Sequence, residues 1–269
     1  MRLILTVLFA LGAAPALADQ PLVKLQTGDD SRGWEAVGKL VLGDRGFCTG
    51  ALIAPDLVLT AAHCLFDKET GARLNPADIK FLAGWRNGRA EAYRGTRQAV
   101  AHPDYVYGGA DSLDRVAFDV AVVELDQPIL STSVKPFAIA GSPAKGDTVG
   151  VVSYAQDRAD TPSLQQSCSV MDKQPGVLVM TCDVDFGSSG APVFVMKDGV
   201  AHVVSVISAK ADVEGKRVAL GSALEIPLAA LMTELEAGNP SKGAMGNVRV
   251  LSGGGGGGAK FVKPEAGTP

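Results

Sequence analysis

The stretch Cys48 to Cys64, CTGALIAPDLVLTAAHC, decides how the rest of the chain is read. Two apolar runs, residues 51–54 and 57–59, flank Pro55-Asp56, a pattern of strand, turn and strand. The second run leads straight into Thr60-Ala61-Ala62-His63-Cys64. A histidine is thereby set at the end of a buried strand, with a cysteine at each end of the segment. A lone histidine in a strand is usually structural, so a chemical role for His63 requires partners downstream.

Two later stretches supply them. In Phe118-Asp119-Val120-Ala121-Val122-Val123-Glu124-Leu125, an aspartate opens an almost wholly apolar strand, where its charge is costly unless paired or hydrogen-bonded. Asp111 and Asp114 are the nearest competitors, but they fall in a Gly/Asp-rich loop, 106–115, expected to be mobile. In Cys182-Asp183-Val184-Asp185-Phe186-Gly187-Ser188-Ser189-Gly190-Ala191-Pro192-Val193, glycines lie on both sides of Ser189. Together the three stretches resemble trypsin-like (chymotrypsin-fold) serine proteases, whose patterns are C-x-G-x-L-I…L-T-A-A-H-C, D-I-A-L-L-x-L and G-D-S-G-G-P, in the order His, Asp, Ser. The resemblance implies a catalytic triad of His63, Asp119 and Ser189, with the N–H groups of Gly187 and Ser189 as oxyanion hole. It also implies peptide-bond hydrolysis through an acyl-enzyme, no cofactor and no metal site. The implied fold is all-β: two antiparallel six-stranded β-barrels, about 34–130 and 135–225, with a terminal helix over 226–237. The rival use of such residues, an α/β-hydrolase, wants G-x-S-x-G and the order Ser, acid, His; here Ala191 replaces the last glycine and the order is reversed.

The pattern departs from the pancreatic type at Ser188. There the family has an Asp that binds a new amino terminus, and no Arg/Lys followed by I-V-G-G occurs upstream. The neutral G-x-S-G-x-P form is closer to the bacterial glutamyl-endopeptidase-like branch. For substrate binding the resemblance points to Asp183, Val184, Ile207, Ser208 and Lys210. Asp183, six residues before Ser189, suggests basic P1 residues, but an Asp at this spacing also occurs in the glutamyl branch without conferring that preference, so the P1 preference stays open. Val184 and Ile207 stand where acid-specific enzymes keep a hydroxyl and a histidine, so acidic specificity is not expected. Ser208-Ala209-Lys210 reads as a strand edge that pairs with the substrate backbone.

Composition agrees with this class. Net charge is −4, which implies no nucleic-acid partner. The 32 glycines and 15 prolines suit many short strands joined by turns. Arg2, an apolar run and Ala16-Leu17-Ala18 mark residues 1–18 as a signal peptide, too short in its apolar core to span a membrane, so the protein is expected to be secreted or periplasmic. Four cysteines allow three pairings in such a compartment. Family likeness and locality favour Cys48–Cys64 and Cys168–Cys182. Residues 19–33 read as an N-terminal arm or short propeptide, 34–237 as the protease domain, and 238–269, with six consecutive glycines, as a flexible tail. His102, in an H-P-x-Y loop, and His202, in a strand, are read as non-catalytic. Substrates are expected to be proteins or peptides, and a monomer is expected. Two further outcomes stay open: a silent binding protein on the same fold, and a protease held latent by residues 19–33.

Overall fold

The computed structural model describes residues 19–109, 112–225, 227–238 and 250–251. After a short strand β1 (Val23–Lys24), the first barrel is built from β2 (Val37–Leu42), β3 (Phe47–Ala54), β4 (Leu57–Thr60), β5 (Ile79–Ala83), β6 (Ala92–Ala101) and β7 (Ala121–Leu125). It closes in the order β2-β3-β4-β7-β6-β5. Strands β4 and β7 are buried along their whole length, which is why they read as continuous apolar runs rather than alternating ones. The one charge in β7, Glu124, is fully buried and pairs with Arg97 at 2.9 Å. Phe81 fills the barrel beside β2 and β3, and Gly38 makes that possible: a Cβ there would stand 2.4 Å from the ring.

A short strand, β8 (Ala138–Ala140), precedes the second barrel. That barrel consists of β9 (Thr148–Ser153), β10 (Ser163–Gln174), β11 (Val177–Met180), β12 (Pro192–Lys197), β13 (Val200–Val213) and β14 (Lys216–Ala223). The ring runs β9-β10-β11-β14-β13-β12 and is closed by pairing of β12 with both β13 and β9. The expected pair of six-stranded antiparallel barrels is thus the observed architecture. Additions lie outside the rings. β1 pairs with β10, so the arm lies along the second barrel. β8 runs parallel to β13, and β15 (Val250–Leu251) runs parallel to β8. The expected signal peptide lies outside the described residues, as does most of the expected tail.

The stretch expected as a mobile loop between β6 and β7 carries a short helix, α1 (Leu113–Ala117), capped by the Ser112 hydroxyl. Its Val116 and Ala117 pack with Val177 of the second barrel. The terminal helix α2 (Pro227–Ala237) buries Leu228, Leu231 and Leu235, spaced to share one face, into the core cluster that holds the first barrel. Between the barrels, Trp34, Phe137 and Phe194 form a triangle with centroid separations of 6.2, 4.9 and 4.9 Å.

Candidate active site

His63 sits in a 3-10 turn over Ala62–Leu65, directly after β4, and Cys64 in that turn is bonded to Cys48 in β3. Both oxygens of Asp119 face it. The His63 backbone N–H donates to Oδ1 at 2.8 Å, and ring Nδ1 lies 2.7 Å from Oδ2. With the proton on Nδ1, Nε2 is left as a base toward the groove. Asp119 is only 3% exposed, so this pairing answers the cost of burying its charge. Contrary to the sequence reading, Asp119 does not open the strand. β7 begins at Ala121, and Asp119 lies in the link after α1, its N–H donating to Val116 O at 3.1 Å.

Two serines that the sequence did not single out for this task hold Asp119, one by its carboxylate and one by its backbone. The Ser208 hydroxyl donates to Asp119 Oδ2 at 2.5 Å. The β13–β14 register slips between Ile207 and Ala209, and this bulge turns Ser208 off the ladder toward the acid. Ser222 in β14 donates its hydroxyl to the backbone carbonyls of Val116 and Asp119 at 2.5 and 3.2 Å. Neither contact has a local sequence signal, because each partner is about ninety or more residues away in the chain.

Ser189 comes from the other barrel and, with His63, lines a chamber of about 330 Å³ and a smaller one of about 120 Å³. No direct hydrogen bond joins the two side chains, a looseness common in free sites of this chemistry. The loop before Ser189 is pinned from outside. Gln156 N–H donates to Phe186 O at 2.8 Å, and Ala191 N–H donates to Ser188 O at 2.9 Å. A trans peptide points its N–H opposite to its C=O, so the N–H groups of Gly187 and Ser189 face away from those anchors. Among the described residues neither N–H has a partner. Thr49 ties the loop to β3: its N–H donates to Ser189 O at 2.9 Å and its hydroxyl to Gly187 O at 2.8 Å. Gly187 and Gly190 adopt φ values of +96° and +75°, which only glycine holds without strain.

The expected substrate-binding residues divide between two chambers. Val184, Ile207, Ser208 and Lys210 line the 330 Å³ chamber with Ser189 and His63. Asp183 does not line it. Asp183 lines an adjoining chamber of about 460 Å³ with Lys210, Asp212 and Arg217. The acidic pocket floor that would pair with a basic P1 residue therefore lacks Asp183 in the chamber that holds Ser189. Lys210 crosses between the walls, paired with Asp185 at 2.7 Å and seated 4.3 Å from the Phe186 ring centroid. That ammonium holds the Asp185 carboxyl below its usual range.

The second disulfide joins Cys168 and Cys182. Among the described residues, the one cluster with metal-ligating atoms is Cys48, His63 and Cys64, whose sulfurs are consumed in a disulfide. His102, expected at the surface or in a loop, is 3% exposed. Its Nδ1 accepts the Asp104 N–H and its ring stacks on Phe118; burial pushes its pKa down, so it is a neutral packing residue. His202 bonds to Val200 O beside its own strand. None of the residues 19–33 lines a chamber that holds His63 or Ser189.

A family model described as Trypsin matches residues 27–223. Glutamyl endopeptidase of Bacillus licheniformis is 28% identical over 150 residues, covering 55% of this chain and 45% of that protein. Mannan-binding lectin serine protease 1 of Homo sapiens is 30% identical over 125 residues, covering 42% and 17%. Serine protease 23 of Mus musculus is 28% identical over 170 residues, covering 55% and 43%. The chain thus spans less than half the length of each of these relatives. Among solved structures, a Glu endopeptidase in complex with MPD superposes with a TM-score of 0.66 at 19% identity, covering 81% of this chain and 98% of that one. A thermostable serine protease AL20 from an extremophilic microorganism gives 0.59 at 16% identity, covering 77% and 98%. At these identities the likeness speaks for the fold.

Proposed function

The chain belongs to the trypsin family, and from that premise we propose that it is an exported serine endopeptidase acting through His63, Asp119 and Ser189. Ser189 Oγ attacks the carbonyl carbon of a peptide bond while His63 Nε2 takes its proton. Asp119 holds the ring tautomer and stabilises the imidazolium. Negative charge gathers on the former carbonyl oxygen, which the N–H groups of Gly187 and Ser189 receive. The intermediate collapses, the C–N bond breaks, and His63 returns the proton to the leaving amine. Water, deprotonated by the same histidine, then releases the acid and restores Ser189. Breaking the Asp–His link costs about 10⁴ in kcat in this chemistry, and that scale is adopted for Asp119→Asn.

One observation carries the reading: Asp119 clamps His63 by both its ring and its backbone, in the groove where two unspent N–H groups flank Ser189. Peptide substrates suit the site because β13 beyond the end of β12 leaves residues 208–210 with an edge unpaired among the described strands. Val184, Ile207 and Lys210 bound the chamber for the side chain before the scissile bond, with Asp183 reached only through the adjoining chamber. Export is supported by two disulfides in a chain with no free cysteine.

Labelling with a fluorophosphonate probe tests the reading. The protein is expected to label, and Ser189→Ala and His63→Ala to abolish labelling. A folded protein that does not label would be either a binding protein on this fold or a protease held latent by residues 19–33, and labelling that appears once the chain starts at Trp34 would identify the second.

A further inference from the structure

Arg158 is 8% exposed, yet no step above uses it. A buried guanidinium is costly unless well paired. Among the described residues its one ion pair is with Asp157, the preceding residue, at 3.2 Å, and that side chain is 75% exposed. Its Nε is buried and has no hydrogen-bond partner among the described residues. What it faces instead is the nucleophile loop. Nη2 donates toward Ser153 Oγ at 3.0 Å and Ser188 Oγ at 3.4 Å. Ser188 is fully buried, immediately before the proposed nucleophile. Its oxygen also accepts the Asp185 N–H at 3.3 Å, and its own proton has Tyr154 O at 3.2 Å and Ser153 Oγ at 3.3 Å as acceptors.

The rest of the turn that carries Arg158, Gln156–Arg158, acts on the same loop. Gln156 N–H holds Phe186 O, which aims the Gly187 N–H into the groove. A single turn of the second barrel therefore grips the loop at Phe186 through its backbone and at Ser188 through a cation. The loop residue itself carries no charge, so nothing in it calls for a separately supplied ammonium.

We propose that Arg158 is the positioning residue of the oxyanion loop: its buried guanidinium holds Ser188, and through it the Gly187 and Ser189 N–H groups, in the donor-inward arrangement. The loop is then assembled by a cation built into the chain rather than by a released amino terminus. This rests on the serine-hydrolase reading for its effect on catalysis, but the effect on loop structure is measurable without turnover.

The test compares wild type with Arg158→Met, Arg158→Lys and Ser188→Ala by hydrogen–deuterium exchange and by hydrolysis of p-nitrophenyl acetate. In Arg158→Met, exchange is expected to rise in the segment 183–191 and not across β9 to β14 as a whole. Its kcat is expected to fall about 10²-fold, the loss seen when one oxyanion donor is misplaced, with KM within threefold. Arg158→Lys is expected to recover part of the kcat, because an ammonium still reaches a hydroxyl. Ser188→Ala removes the acceptor with little change of volume, so it decides the matter if Arg158→Met does not fold. Its expected signature is the same. Folded variants with wild-type exchange and kcat would overturn the proposal, as would exchange raised throughout the second barrel. If wild type itself turns over no ester and takes no fluorophosphonate, the hydrolase reading fails, and the exchange pattern alone decides the role of Arg158.

Discussion

A methyl group on residue 190 would stand 2.1 Å from Thr60 Oγ1, 2.5 Å from Thr49 O and 2.8 Å from Ala61 N. Two of those atoms are backbone, and the third is held by its bond to Thr49 O at 2.9 Å, so none yields cheaply. The residue also has φ +75°, a further penalty of about 1 kcal/mol or more for a side chain. Gly190→Ala is therefore expected to lose at least about 3 kcal/mol in urea unfolding. Gly28→Ala is the matched control, since its nearest contact would be 3.6 Å from the flexible Arg86 and its φ is ordinary; it is expected to change stability by less than about 0.5 kcal/mol. Equal losses at both positions would mean that glycine content, and not the close approach of the two barrels, sets the requirement at 190. The same geometry explains why glycine after Ser189 was legible in the sequence but its reason was not. The motif shows a small residue, while the clash partners, Thr49, Thr60 and Ala61, belong to the other barrel.

At the scale of elements, the two disulfides close loops of similar length, with separations of 16 and 14 residues, and differ in what they hold. Each is worth about 3 kcal/mol in the chain-entropy account. Cys48–Cys64 ties β3 to the turn that carries His63, a turn with no side-chain cap at its start. Cys168–Cys182 ties β10 to the segment after β11, where the β10–β11 ladder and the bond from Asp183 N–H to Gln165 Oε1 already fix the chain. Replacing either pair by alanines is expected to cost about 3 kcal/mol in denaturant titrations. Ester kcat is expected to fall at least tenfold for the Cys48/Cys64 variant and less than threefold for the Cys168/Cys182 variant. Matching activities in the two variants would show that the His63 turn holds itself. Strands were the elements most readable from sequence, because β4, β7 and β11 are short apolar runs bounded by turn residues. Helix α1 was not. Its five residues follow a Gly/Asp-rich run, and its burial depends on Val177 of the second barrel, a contact that no local pattern announces. The parallel edge formed by β8 was missed for a similar reason, since three residues carry too little pattern to give a strand's direction.

For the whole molecule, the legible and the illegible separate by range of contact. His63, Asp119 and Ser189 each stand in a short stretch with its own pattern, and it is the three stretches together, in that order, that make them readable as a set. Ser208 and Ser222 hold Asp119 from a distance, and nothing in the neighbouring sequence marks either of them for that contact. The arm, open in the sequence between propeptide and packed segment, runs beside β10, with Gln20 N–H donating to Ser167 O and Leu25 N–H to Pro162 O, both at 2.9 Å. Removing residues 19–25 is thus expected to lower the melting temperature while leaving ester kcat within twofold. A large rise in kcat on removal would identify the arm as an inhibitor.

The last described helix has a consequence in time. α2 follows both barrels in the chain, yet it packs against β6 and β7 of the first. The earlier half of the protein must wait for the later half before its own interior is sealed. A chain threaded amino end first through a narrow passage therefore carries His63 and Asp119 out early but in an unfinished barrel, and Ser189 follows only with the second. For a protein exported in that direction, as proposed, the order of the polymer alone delays the finished groove until nearly all of the chain has passed.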